Sequence, residues 1–165
     1  MIASLLDQLS IAYQAYQHPP LHNCQEADRL QLVRTGLRTK NLFLRDNYGK
    51  RHFLLITTPD KAVDLKALSK QMSLSRLGFA SAERLERYLG VQPGHVSLLA
   101  LINDPDQAVT LWIDQALWCG ESLQCHPLDN TQTWVIAPQD IETLLAHWQR
   151  ALTLLTLPVP TKDDA

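Results

Sequence analysis

The residues able to do chemistry in this 165-residue chain fall into a few short clusters. Lys40 and Asn41 head the run Lys40-Asn41-Leu42-Phe43-Leu44-Arg45-Asp46. A lysine at the entrance of an apolar strand is costly to keep there. Either it snorkels at a sheet edge, or it is a cation placed to meet an anionic or carbonyl group. Gly90-Val91-Gln92-Pro93-Gly94 is a tight loop with a glycine at each end, and its backbone N–H groups can cradle a polar ligand. His126-Pro127-Leu128-Asp129-Asn130-Thr131 is a polar turn. Its histidine either caps and packs the turn or walls a pocket, and Asn130 and Thr131 either brace the turn through local bonds or touch a ligand. Asp129 reads as solvated surface.

Other chemistries lack their motifs. The chain has no Gly-x-Ser-x-Gly elbow, no phosphate-binding P-loop and no Gly-x-Gly-x-x-Gly fingerprint. Three cysteines, Cys24, Cys119 and Cys125, form no Cys-x-x-Cys pair and read as reduced thiols. His18 and His22 are separated by Pro19-Pro20 and cannot share a helical face, so no metal site and no cofactor are expected.

Net charge is only −2, but it is segregated: thirteen of the fifteen Lys and Arg lie between positions 29 and 87. Seven acids and no Lys or Arg lie between 88 and 149. One basic face on a near-neutral protein suits a partner with a few phosphates near one end better than a long duplex. Arg45, Lys66, Lys70 and Arg76 are the candidate phosphate contacts, against the plainer reading of each as solvated surface.

These residues need elements to hold them. Residues 2–9 read as a short helix and 11–17 as a strand that Pro19-Pro20 stops. Asn23-Cys24-Gln25-Glu26 has capping-box spacing, so a helix should run from there to about Val33. Two apolar runs, 40–46 and 52–57, flank Asn47-Tyr48-Gly49-Lys50 and predict a hairpin. Asp64 caps a helix through about Met72. Ser81 caps another, Ala82 to Leu89, which Gly90 ends. Val96–Ile102 reads as a buried strand, followed by strands at 109–114, 116–126 and 132–137, the last two joined across the 127–131 turn. The final helix starts at Pro138 with an apolar stripe of Ile141, Leu144, Leu145, Trp148 and Leu152. Mixed elements in irregular order predict a single α+β or mixed-sheet α/β domain over 1–155, with a frayed tail over 156–165. No apolar run approaches bilayer length, and the first residues lack a secretory pattern, so a cytoplasmic protein is expected.

Lys40–Asp46 closely resembles the signature strand of the YbaK-like family, the editing domains of bacterial prolyl-tRNA synthetases and their free-standing relatives. His18-Pro19-Pro20, Asp60–Leu68, Phe79-Ala80-Ser81, Tyr88–Gly94, Leu101–Asp104 and His126–Thr131 fit the same family in the same order, over about residues 1–150. The likeness is greatest to the free-standing ProXp-ala type. It implies a curved, partly barrel-like mixed sheet flanked by helices, and a deacylase that clears mischarged tRNA in trans, with Ala-tRNA(Pro) the leading substrate. It also implies Lys40 as the catalytic cation, with Asn41 orienting the substrate. Gly90, Gly94, His126, Asn130 and Thr131 would bind substrate, and Arg45, Lys66, Lys70 and Arg76 would bind tRNA. The partners implied are the tRNA(Pro) acceptor end and prolyl-tRNA synthetase, for a monomer.

An aminoacyl ester is already activated, so an enzyme need only position it, meet the developing oxyanion and admit one water. Two departures stand out. After Gly94 the family carries Pro and a bulky residue where this chain reads Val96-Ser97-Leu98-Leu99, which leaves the amino-acid preference open to Cys-, Ser- or Thr-charged tRNA. Asn23 stands where threonine is common, and caps a helix as well. The rival of a different class is a non-catalytic tRNA- or synthetase-binding module.

Overall fold

The computed structural model describes residues 2–19, 36–128 and 131–159. The helix expected over 23–33, residues 129–130 and the tail beyond 159 lie outside them.

The described chain runs α1 (Ile2–Gln8), β1 (Gln14–Gln17), β2 (Lys40–Arg45), β3 (His52–Thr57), α2 (Leu65–Gln71), β4 (Gly78–Phe79) and α3 (Ala82–Leu89). It continues with a 3-10 helix (Leu98–Asn103), β5 (Val109–Asp114), a 3-10 turn (Gln115–Leu117), β6 (Leu123–Cys125), β7 (Gln132–Ile136), α4 (Pro138–His147) and β8 (Leu154–Leu155). Two sheets result, one of three strands in the order β1-β7-β6 and one of five in the order β4-β2-β3-β5-β8. The second is mixed: β2 pairs antiparallel to β3 and β4, while β3–β5 and β5–β8 are parallel. The expected mixed sheet flanked by helices is present, though among the described residues it does not close into a barrel.

The join between the sheets matters for the site. Leu37 bridges Leu123 in parallel, with its N–H donating to Ser122 O at 2.8 Å and its carbonyl accepting from Gln124 N at 2.9 Å. The entrance to β2 therefore runs alongside β6 before β2 enters the larger sheet.

β3 is buried at all six positions, which explains its unbroken apolar run: a central strand covered on both faces has no polar side to show. Leu54 and Ile56 join the main core, with Leu111, Ile113, Leu85 and Leu89 of α3 and Ile141, Leu144 and Leu145 of α4. Phe53 and Leu55 face the other way, into a smaller core with Leu44, Trp112 and Leu68 of α2. Full burial of one such leucine is worth about 1.5–3 kcal/mol, so the two cores fix the central strands firmly.

Three expectations need correction. Leu98–Asn103 is a 3-10 helix, not a strand. Ser97 caps it, its Oγ accepting from Leu99 N at 3.1 Å, and Leu98, Leu99, Ala100 and Leu101 are all buried. Four consecutive buried apolar residues leave no periodicity to separate helix from strand. The 116–126 stretch is strand only at Leu123–Cys125, because Asp114 caps a 3-10 turn directly after β5. Leu152 does not extend the α4 stripe: the helix ends at His147, Gln149 takes a positive φ of 55°, and Leu152 is exposed.

Candidate functional site

Lys40 is the first residue of β2 and half-buried. It lies opposite Thr57 of β3, and the β3–β5 register that pairs Ile56 with Ile113 brings Thr57 beside Asp114. Lys40, Thr57 and Asp114 thus form one row across three neighbouring strands. Residues abreast in adjacent strands share a face, so their side chains rise together. Thr57 donates from Oγ1 to Asp114 Oδ2 at 2.7 Å. Lys61, in the turn after β3, folds over the row and binds the same oxygen at 2.6 Å. Its backbone carbonyl accepts from Lys40 Nζ at 2.6 Å. The lysine ammonium is thus bound to a backbone carbonyl of the protein at the sheet end.

Asp114 is almost wholly buried. Burial pushes its carboxyl up. Hydrogen bonds from Lys61, Thr57 and the Ala116 N–H outweigh that and hold it below the usual carboxylate range. It balances Lys61, and Lys40 has no carboxylate partner among the described residues.

Asn41 follows Lys40 in the strand and leaves the opposite face, the one it shares with Ile56 and Phe43. Lys40 and Asn41 thus flank the sheet end from two sides.

The strand that leads into the His126 turn passes the entrance of β2, and the glycine loop borders that turn. Thr39 Oγ1 donates to Gln124 O at 2.9 Å, so the chain immediately before Lys40 runs beside the strand that leads into His126. His126 is half-buried, its Nδ1 3.2 Å from Gln132 O across the turn. Thr131 O accepts from His18 N at 2.9 Å, and His18 Nε2 lies 2.8 Å from Thr133 Oγ1, which ties the end of β1 to this turn. Gly90 ends α3 with φ 67° and Gly94 has φ 90°, both in the left-handed region that favours glycine. His95, next to Gly94, has Nδ1 3.5 Å from Leu128 O, so the glycine loop borders the same turn. Asn130 lies outside the described residues.

The expected tRNA contacts are dispersed. Lys66 and Lys70 are exposed on α2, which follows Lys61. Arg45 closes the far end of β2, about 17 Å from Lys40 at the usual rise per residue. Its Nη1 binds the turn carbonyls of Asp46 (3.1 Å) and Asn47 (3.4 Å). Arg76 is exposed near that turn, where Asn47 N donates to Ser75 Oγ at 3.1 Å. An open cleft of about 520 Å³ between β1, Gly36 and Glu121-Ser122 is lined by none of the expected site residues.

A family model described as the aminoacyl-tRNA editing domain matches residues 18–144. The chain belongs to the aminoacyl-tRNA editing domain family. The match includes Lys40, Asn41, the glycine loop and the His126 turn. A curated relative, the prolyl-tRNA editing protein ProX of Acetoanaerobium sticklandii, is 33% identical over 144 residues, covering 87% of this chain and 88% of that protein. The prolyl-tRNA synthetase associated domain-containing protein 1 of Danio rerio is 31% identical, covering 94% and 85%. Among solved structures, a candidate trans-editing enzyme for prolyl tRNA synthetase superposes with a TM-score of 0.68 over 96% of this chain and 95% of that one. At 15% identity this last likeness shows the fold alone.

This editing domain is an aminoacyl-tRNA deacylase by family, and the geometry is consistent with that chemistry. The departure at Val96–Leu99 falls largely in the core: Ser97, Leu98 and Leu99 are buried. Sequence reasoning missed Lys61, Thr57 and Asp114 as site residues. The available signal was Asp114 itself, an acid ending the apolar strand Val109–Ile113, where burial demands a partner.

Proposed function

We propose that this editing domain acts in trans on mischarged tRNA(Pro), with Ala-tRNA(Pro) its principal substrate. The observation that carries the proposal is the Lys40 ammonium fixed at the sheet end by Lys61 O, beside the entrance of the turn that bears His126. A water adds to the ester carbonyl, and negative charge grows on the carbonyl oxygen. Lys40, a compact cation with two N–H donors left after Lys61 O, meets that charge. The ester C–O bond breaks, the ribose oxygen takes a proton that the water supplied, and free alanine and tRNA leave. The adjacent ribose hydroxyl assists the water, so the reaction needs no general base from the protein. Asn41 orients the ester. Gly90, Gly94, His126, Asn130 and Thr131 hold the aminoacyl end, and Lys66, Lys70, Arg76 and Arg45 meet acceptor-arm phosphates.

Alanine is the expected cargo on size grounds. A synthetase pocket that holds proline cannot strongly reject a smaller apolar residue, since one methylene is worth only about 1–3 kcal/mol. A second site admitting only the smaller group corrects the error.

The test is a panel of labelled Ala-, Cys-, Ser-, Thr- and Pro-tRNA(Pro) with the protein in catalytic amount. Rapid loss of alanine with proline retained supports the reading. Preferential loss of another residue moves the specificity, and no loss of any overturns the enzyme reading in favour of a binding module.

A further inference from the structure

Lys61 and Asp114 lie outside the sequence-level site, yet a chain of short bonds links both to Lys40. Asp114 is the fixed point. Its side chain is 2% exposed, and besides Lys61 it accepts from Thr57 Oγ1 at 2.7 Å and Ala116 N at 3.0 Å. Those bonds tie it to the end of β3 and to the 3-10 turn behind β5. Lys61 is the more exposed partner. Its side chain is 23% exposed, and its backbone sits in a turn whose own closing bond, Lys61 N to Thr58 O, is long at 3.3 Å. The 2.6 Å ion pair ties that turn to Asp114. Lys61 O in turn takes one of the three Lys40 donors at 2.6 Å. The ion pair, the turn and the Lys40 ammonium are thus linked in series.

We propose that Lys61 is a positioning residue for the deacylation reaction: pinned to buried Asp114, it presents its backbone carbonyl so that Lys40 points at the ester. The inference rests on the deacylase reading above. It explains two lysines in one corner of the fold without assigning both to the substrate. Asp114 takes up the charge of Lys61, and Lys61 offers its carbonyl, not its ammonium, to Lys40. A positioning role predicts a loss in kcat rather than KM, because a misplaced cation still binds but no longer meets the oxyanion.

The experiment measures Ala-tRNA(Pro) deacylation by the full chain and by Lys40→Ala, Lys61→Met, Lys61→Arg and the double variant Lys61→Met/Asp114→Asn. Lys61→Met alone strands a buried carboxylate and can lose stability for that reason. The double variant removes the stranded charge while leaving the carbonyl unanchored. The expected result is a kcat lower by roughly 10- to 100-fold in both Met variants, the scale of a displacement of about 1 Å, with KM little changed and most of the loss recovered in Lys61→Arg. Full kcat in the double variant while Lys40→Ala is inactive would overturn the positioning role and leave the deacylase reading intact. A raised KM with unchanged kcat would overturn it too, by making Lys61 a substrate contact. Full activity in Lys40→Ala would overturn the reading of Lys40, and this inference with it.

Discussion

Replacing Gly90 by alanine should cost stability and activity together, by an amount the structure sets. Gly90 ends α3 at φ 67°, ψ 22°, its N–H donating to Glu86 O at 2.9 Å. An alanine in that left-handed conformation costs about 1–2 kcal/mol. Its Cβ would also stand 3.1 Å from Asn103 Nδ2, the amide that donates to Leu89 O at 2.9 Å. Dislodging that bond adds about 0.5–1.5 kcal/mol. Together these give roughly 1.5–3.5 kcal/mol, or a Tm lower by about 3–14 °C at the slope usual for a domain of this size. Thermal unfolding followed by circular dichroism reads this directly. Asn103→Ala isolates the second contribution, and Gly90→Asn should cost less than alanine because asparagine visits the left-handed region more readily. The loop to Gly94 starts here, so deacylation should fall as well. A Gly90→Ala protein that melts within about 1 °C of the parent would refute both the conformational and the steric arguments.

Arg150→Ala should be more damaging. Arg150 and Asp104 are each 5% exposed and paired at 3.1 Å, and Arg150 also donates to Val109 O at 2.7 Å. Stranding one partner of such a pair costs about 3–5 kcal/mol, readable as a lower urea midpoint. Stability should fall on acidification in two windows. Burial, then the neighbouring Arg84 charge, lowers the proton affinity of His52, so the unfolded chain binds that proton first. His52 therefore stabilises fully above about pH 6.5, and its contribution is lost as pH falls from there toward its depressed folded value. Asp46 is held down by the Arg51 and Lys50 backbone N–H groups, and Asp114 by Lys61 and Thr57 against its burial. Their contributions are present above about pH 4 and lost as pH drops through their lowered values. Urea midpoints at pH 7.5, 5.5 and 3.5 should decline stepwise, and His52→Gln should flatten the first step. The triple variant Lys66→Ala/Lys70→Ala/Arg76→Ala should weaken tRNA binding and make its salt dependence shallower, by about 0.7–0.9 for each phosphate no longer neutralised. Unchanged affinity and slope would mark these cations as plain surface.

Much of the fold is legible in the sequence because its signals are local. Asp64 and Ser81 cap their helices as side-chain chemistry requires, accepting from Ala67 N and Arg84 N. Asn47–Lys50 turns between two strands whose apolar residues occupy both faces. Val96–Ile102 reads as a strand because its buried centre, Leu98–Leu101, carries no periodic contrast. β4 and β8, two residues each, are defined by the neighbours they pair with and have no sequence pattern of their own. The site is half visible. Lys40 stands out as a charge at the head of an apolar strand. Lys61 and Asp114 are 53 residues apart, and only the parallel β3–β5 pairing brings the second beside Thr57. Arg45 reads either as a hairpin-surface cation or as a phosphate contact, and its bond to a turn carbonyl at the opposite end of β2 from Lys40 is a placement that only the folded hairpin reveals.

The most direct test of the account is single-turnover hydrolysis of labelled Ala-tRNA(Pro) by the full chain and by Lys40→Ala, with tRNA affinity and Tm measured on both. Hydrolysis by the full chain that falls at least about 100-fold in Lys40→Ala, a loss on the scale of removing an oxyanion donor, is the predicted result, with affinity and Tm nearly unchanged. Equal hydrolysis by the two proteins, or none by either, would contradict it.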